Sequence, residues 1–207
     1  MQPDKTPIFD GAAIVGDDQK VRNGPNPDIE ILARQRQATG CRAHFGREMS
    51  NELGELAAFL LEAKRRTYAG LDDEATVAVP MLAGSKQLDH RSGRYAYRDI
   101  YFGMGFFVGQ ETVSRDGKAI WSMCYSGGIS PEISDRNTLL SIYTFLRKAL
   151  LAGRVDSPYR GPETFDDGAL SYRNSVEGTL VRFHGVEQIS RDGATQYELR
   201  YNGGLIR

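Results

Sequence analysis

An internal repeat constrains the fold of this chain more than any other feature of its sequence. The segment that starts at Phe107 reads FVGQETVSRDG, and the segment that starts at Phe183 reads FHGVEQISRDG, 76 residues later. The same shift aligns WSMCYSGGI, which starts at Trp121, with YELRYNGGL, which starts at Tyr197. We therefore predict two copies of one structural unit, the first over 51–130 and the second over 134–207.

Each unit is predicted to consist of one helix followed by about three short strands. Apolar residues recur at helical spacing before the strands of each unit. The expected fold is α+β, with internally duplicated α-β-β-β units whose strands form one antiparallel sheet and whose two long helices pack on it. The helical apolar positions are Leu53, Leu56, Ala57, Leu60 and Leu61 in the first unit, and Leu139, Ile142, Leu146, Ala149 and Leu150 in the second.

The strands on either side of Asp116-Gly117 are predicted to form a hairpin. A two-residue loop would place Glu111 on the face opposite Trp121. A three-residue loop with Gly117 in a left-handed bulge would set Val113 opposite Ala119 and Glu111 opposite Trp121. Only the second register puts all the shared apolar positions on one face, so we predict the three-residue loop.

That register turns one glutamate of each unit, Glu111 and Glu187, toward an apolar and aromatic face. A buried carboxylate needs a partner or becomes neutral. The candidate partners are the hydroxyls of Tyr97, Tyr125, Tyr172 and Tyr201 and the cations of Lys86, Arg98 and Arg173. Two interpretations stay open: satisfied core carboxylates, or a cavity between the units that receives a ligand. The candidate ligand-binding residues are Glu111, Glu187, Trp121, Tyr125, Tyr197, Tyr201, Tyr97 and Tyr172.

A series of short motifs falls in a recognisable order along residues 52–207. They are YAG at 68–70, GSK at 84–86, YRDIYFG at 97–103, GQE at 109–111, WSMCY at 121–125, YRGP at 159–162 and GGLI at 203–206. Together they resemble an uncharacterised bacterial domain-of-unknown-function family. The resemblance implies an effector-sensing or regulatory role, since members occur alone or behind a helix-turn-helix of bacterial regulators. In outline the duplicated unit is also similar to the effector-binding modules of multidrug-responsive regulators.

Residues 1–50 differ from the rest of the chain and are predicted to be a poorly ordered or short-helical N-terminal arm. They are too short and too often interrupted by Pro and Gly to form a helix-turn-helix. A net charge of −1 argues against direct nucleic-acid binding. No apolar run is long enough to span a membrane, and two cysteines suit a reducing cytoplasm. His44, His90 and His184 are isolated, so no metal or cofactor is expected. A homo-oligomer is compatible with the sequence.

Three functions are compatible with these features. The preferred hypothesis is a small-molecule binding or sensing domain with an acidic and aromatic pocket between the halves, suited to a small cationic or amphipathic ligand. The alternative is a hydrolase-like enzyme that uses a buried glutamate as general acid or base. The third is a protein-interaction module without a cavity. The sequence favours a binding protein over an enzyme.

Overall fold

The computed structural model describes residues 49–69 and 76–207, which form two helices and eight strands. The N-terminal arm predicted over 1–50 lies outside these residues except for its last two positions. In chain order the elements are α1 (49–66), β1 (Lys86–Ser92), β2 (Tyr95–Gly103), β3 (Phe106–Arg115), β4 (Lys118–Ile129), α2 (Arg136–Leu151), β5 (Thr164–Asp167), β6 (Leu170–Thr179), β7 (Arg182–Arg191) and β8 (Ala194–Leu205).

The eight strands form one antiparallel sheet in the order β1-β2-β3-β4-β8-β7-β6-β5. Each half is a four-stranded meander, and the two meanders join where β4 pairs with β8. At that junction Tyr125 lies directly opposite Tyr201, and these two residues occupy equivalent positions in the sequence repeat. The two halves of the sheet are therefore related by an approximate twofold axis between these tyrosines.

Both helices bury an apolar stripe against one face of this sheet. On α1 the buried side chains include Leu56, Leu60 and Ala63 at helical spacing. On α2, Asp135 caps the first turn by accepting a hydrogen bond from the Thr138 N–H at 2.8 Å. The buried residues of α2 are Ile142, Tyr143, Phe145, Leu146, Ala149 and Leu150. Each fully buried side chain of this size contributes about 1.5–3 kcal/mol of hydrophobic stabilisation.

The predicted fold class is wrong. Strands hold 50% of the described residues and helices 22%, so the molecule is mainly one large antiparallel sheet with two short helices rather than an α+β fold with two long helices packed on it. The sequence prediction missed the first strand of each half, β1 and β5. Neither strand alternates cleanly between apolar and polar residues, because each lies at an edge of the sheet.

The register of the first hairpin differs from the prediction, although the predicted face is correct. Ser114 pairs with Ala119 and Val113 with Trp121, so the loop is the two-residue Asp116-Gly117, both with positive φ. Ile120 has no partner opposite it and forms a β-bulge. That extra residue returns Trp121 to the face of Val113. Glu111 consequently pairs with Met123 and not with Trp121, yet Glu111 and Trp121 are both buried on the same face.

The second hairpin has the same construction. Ile189 pairs with Tyr197 and Ser190 with Thr195, which leaves Gln196 as the bulged residue. Glu187 therefore lies on the buried face as well. Within the described ranges, no helix is long and apolar enough to cross a membrane. In the same ranges no three His, Cys, Asp or Glu residues converge as a metal site requires.

Candidate functional site

Glu187 on β7 is fully buried and has a complete set of hydrogen-bond donors. Its Oε1 accepts from Arg160 Nη2 at 2.7 Å and from the Tyr197 hydroxyl at 2.8 Å. Its Oε2 accepts from the Tyr172 hydroxyl at 2.7 Å. Burial raises the pKa of both tyrosines well above the ordinary value, so both remain donors. Glu187 thus matches the interpretation of a satisfied core carboxylate.

Glu111 on β3 is buried in an equivalent position but has different partners. Its Oε2 accepts a hydrogen bond from Lys64 Nζ of α1 at 2.5 Å. Its Oε1 lies 3.8 Å from Arg160 Nη1. Burial lowers the pKa of Lys64, and the attraction of Glu111 opposes that effect. Arg160 contacts both glutamates, so one guanidinium group links the carboxylates of the two halves.

A second pair of equivalent hydrogen bonds lies beside these glutamates. The Tyr125 hydroxyl donates to Asp99 Oδ1 at 2.6 Å, and the Tyr201 hydroxyl donates to Asn174 Oδ1 at 2.7 Å. A glycine lies under each tyrosine ring. A Cβ at Gly109 would come within 2.3 Å of the Tyr125 hydroxyl oxygen. The halves therefore share one geometry but differ in charge, since a carboxylate in the first half replaces an amide in the second.

Asp99 is a buried carboxyl group whose acidity is altered by its surroundings. Burial raises its pKa to about 7, with a further increase from the nearby charge of Glu111. The Tyr125 hydrogen bond and the positive charges of Lys64 and Arg160 act in the opposite direction. Near neutral pH the Asp99 side chain therefore exists in both protonation states.

A cavity of about 110 Å³ opens above Asp99 on the helix-covered face of the sheet. It lies between β1–β4 of the first half, α2, and the segments that follow the two helices. Aromatic rings form much of its wall, and its charged groups are Lys86, Asp99, Arg147 and Arg160. The aromatic lining residues are Tyr68, Tyr101, Phe107, Tyr125 and Tyr143.

Only one of the eight predicted ligand-binding residues, Tyr125, lines this cavity. Glu111 and Glu187 do not line it; Glu111 is paired with Lys64 and Glu187 with Arg160. Trp121 stacks on Phe183 at 5.7 Å between ring centroids, and its Nε1 is buried without a hydrogen-bond partner. The remaining predicted residues, Tyr97, Tyr172, Tyr197 and Tyr201, are buried in the core.

The predicted cations were also largely different from those observed. Arg98 forms an ion pair with Asp89 at 2.8 Å, and Arg173 forms one with Asp166 at 3.0 Å, so neither reaches a buried glutamate. Lys86 lines the cavity with its Nζ 5.9 Å from the centre of the Tyr101 ring. The cations that reach the glutamates are Lys64 and Arg160, which sequence reasoning missed.

A signal for each missed cation was present in the sequence. Lys64 follows Leu60 by four residues, which places it on the apolar stripe of α1. Arg160 lies inside the YRGP motif, flanked by Tyr159 and Gly161. A basic residue on an otherwise buried helix face, or within a buried loop, indicates a carboxylate partner. Pairing these residues with Glu111 and Glu187 would have predicted the closed network.

A family model described as a domain of unknown function (DUF5680) matches residues 99–206. That range covers more than half of the chain, from the middle of β2 to the end of β8. The resemblance to a domain of unknown function is thereby confirmed for these residues. Neither a curated protein nor a solved structure matches the chain significantly. The chain belongs to the DUF5680 family.

Proposed function

We propose that this DUF5680 member binds a small molecule in the cavity above Asp99. The observation that carries the proposal is the mixed lining, in which aromatic rings surround a few charged groups. Ligand pockets typically combine an apolar wall with a small number of placed polar groups. The protein-interaction hypothesis would require a fully packed inner face of the sheet. The cavity is a gap in that packing. In this proposal the chain serves as a sensor or regulatory accessory in the bacterial cytoplasm.

The position of the cavity supports the proposal further. β2, β3 and β4 of the first half provide its base, whereas α2 and Arg160 come from the second half. A ligand would therefore contact both copies of the unit. Tyr143 of α2 also donates a hydrogen bond to the backbone carbonyl of Met104, at the β2–β3 turn. This contact connects the wall of the cavity to its rim.

The experiment that tests this proposal is a titration of the full chain with small amphipathic single-ring compounds, followed by amide chemical shifts. We expect shifts in the amides of β2 and α2 that line the cavity. Met104→Trp enlarges a half-exposed side chain at the rim and should abolish them. Val108→Trp enlarges a comparably exposed side chain of the same hairpin that does not line the cavity, so it serves as the control. Unchanged binding by Met104→Trp would contradict the proposal.

A second candidate function is hydrolysis with Asp99 as the general base. The raised pKa of Asp99 and its place in the cavity favour this residue over Glu111 or Glu187, which lie beneath the cavity. An activated ester such as p-nitrophenyl acetate would test the idea. Hydrolysis by the full chain that is lost in Asp99→Asn would support the enzyme, and equal rates would oppose it.

A further inference from the structure

The charges that line the cavity indicate which class of ligand it would take, an inference that rests on the proposed function. Arg160 is neutralised by Glu187, and Lys64 beneath the floor is neutralised by Glu111. Lys86 and Arg147 have no ion-pair partner among the described residues. We infer that the cavity takes a small single-ring aromatic anion, with its acidic group at Lys86 and Arg147 and its ring among the tyrosines.

The expectation of a cationic ligand loses its basis in this arrangement. It depended on Glu111 and Glu187 being free to hold a positive group. Each instead accepts a charge-assisted hydrogen bond from a cation, Glu111 from the part-buried Lys64 and Glu187 from the buried Arg160. Among the described residues Asp99 is the remaining carboxyl group in the lining, and it already accepts the Tyr125 hydrogen bond. The surplus charge of the lining is therefore positive.

Unfilled hydrogen-bonding capacity in the cavity also points to an anion. Four buried side-chain nitrogen atoms in the described part of the chain have no partner. Two of them are the Nε atoms of Arg147 and Arg160, whose side chains line the cavity. Buried N–H groups without acceptors are costly. An anionic ligand with several acceptor oxygens would satisfy such donors, and an ammonium ligand would not.

The size and walls of the cavity limit the ligand to about one ring. Its volume of about 110 Å³ is somewhat smaller than the apolar cavity of about 150 Å³ that is known to hold benzene. The rings of Tyr68, Tyr101, Phe107 and Tyr143 provide faces and edges for aromatic packing. Burial raises the pKa of Tyr143 to about 12, so its hydroxyl remains neutral beside an anion.

The test uses three probes of nearly equal shape: benzoate, its neutral amide benzamide, and the cation benzylamine. Binding to the full chain is measured by calorimetry and amide shifts at low ionic strength. We expect benzoate to bind at least about tenfold more tightly than benzamide, as one charge-assisted hydrogen bond would give. Benzylamine should bind most weakly, and added salt should weaken benzoate alone.

Two variants examine the assigned cations. Arg147→Gln should weaken benzoate about tenfold and leave benzamide unchanged, and Lys86→Gln, on an exposed strand position, should act in the same direction. Arg136→Gln removes an exposed charge from the same helix and serves as the control. Equal loss in all three variants would overturn the assignment.

The probes also separate the two proposals. If benzamide or benzylamine bound in the cavity and benzoate bound no more tightly, the preference for an anion would be refuted. The proposed small-molecule site would stand. Absence of binding by all three probes would also refute the preference for an aromatic anion. The wider compound titration with Met104→Trp tests the proposed function independently.

Discussion

Replacing Asp99 by Asn removes one buried ionisable group without changing the shape of the site. The second half of the sheet already shows that an amide fits there, because Asn174 accepts the Tyr201 hydrogen bond as Asp99 accepts that of Tyr125. The folded-state pKa of Asp99 is raised from the ordinary 3.8 to about 7. The native state therefore binds this proton more tightly than the unfolded chain.

The sign of the effect follows from that difference. As pH rises from 4 to 7, the unfolded chain loses the proton first, so ionisation favours unfolding and the wild type loses stability. The difference between the unfolded and folded pKa values of Asp99 corresponds to at most about 4 kcal/mol of folding stability, at about 1.4 kcal/mol per pH unit. About 1–2 kcal/mol is already lost at pH 5, which leaves about 2–3 kcal/mol between pH 5 and pH 8.

The assay is urea unfolding of the wild type and Asp99→Asn at pH 5 and pH 8. We expect the free energy of unfolding of the variant, relative to the wild type, to increase by about 2–3 kcal/mol between these pH values. Asp89→Asn is the control on the neighbouring strand, because hydrogen bonds from Arg98 and Gln87 outweigh partial burial and lower the Asp89 pKa. Its difference from the wild type should be constant above pH 5. A constant difference for Asp99→Asn would refute the reasoning.

Two further substitutions address the network beneath the cavity. Glu187→Gln leaves the buried Arg160 without its carboxylate and should lower the free energy of unfolding by about 3–5 kcal/mol. Glu198→Gln removes a half-buried carboxylate that pairs with the exposed Arg200 and should change it by less than about 1 kcal/mol, and a similar loss in both variants would contradict the assigned network. Gly109→Ala pushes a methyl group against the ring of Tyr125 and should cost about 1–3 kcal/mol, measured by urea unfolding. Gly54→Ala, which meets open space on α1, should cost nothing.

The buried face of each hairpin could be predicted from sequence, although the loop could not. The requirement that Val113, Trp121 and the other apolar positions share one face is a strong constraint, and it held. Two backbone conformations satisfy it: a three-residue loop, or a two-residue loop followed by a bulge at Ile120. The choice depends on the preference of Asp116-Gly117 for positive φ at both positions. The Asp-Gly pair was the available signal for that choice.

The cavity was harder to predict than the face. Its lining combines residues from β1, β2, β3, β4, α2 and two loops, and no sequence periodicity connects such distant segments. The sequence repeat also reveals only the residues that the two halves share. Glu111 and Glu187 are shared and are paired with cations, whereas Asp99 in the cavity is replaced by Asn174 in the second copy.

Asp99 and Asn174 occupy equivalent positions in the two halves but differ in their hydrogen-bonding capacity. Asn174 accepts from Tyr201 and also donates its Nδ2 hydrogen to the backbone carbonyl of Gly161 at 3.0 Å. That second bond holds the loop after α2 against the second half of the sheet. In its ionised form Asp99 has no hydrogen to donate, so it cannot make the corresponding bond to a carbonyl oxygen. Asp99 instead lines the cavity, so this one difference between the copies places a titratable group where the second copy has a neutral amide.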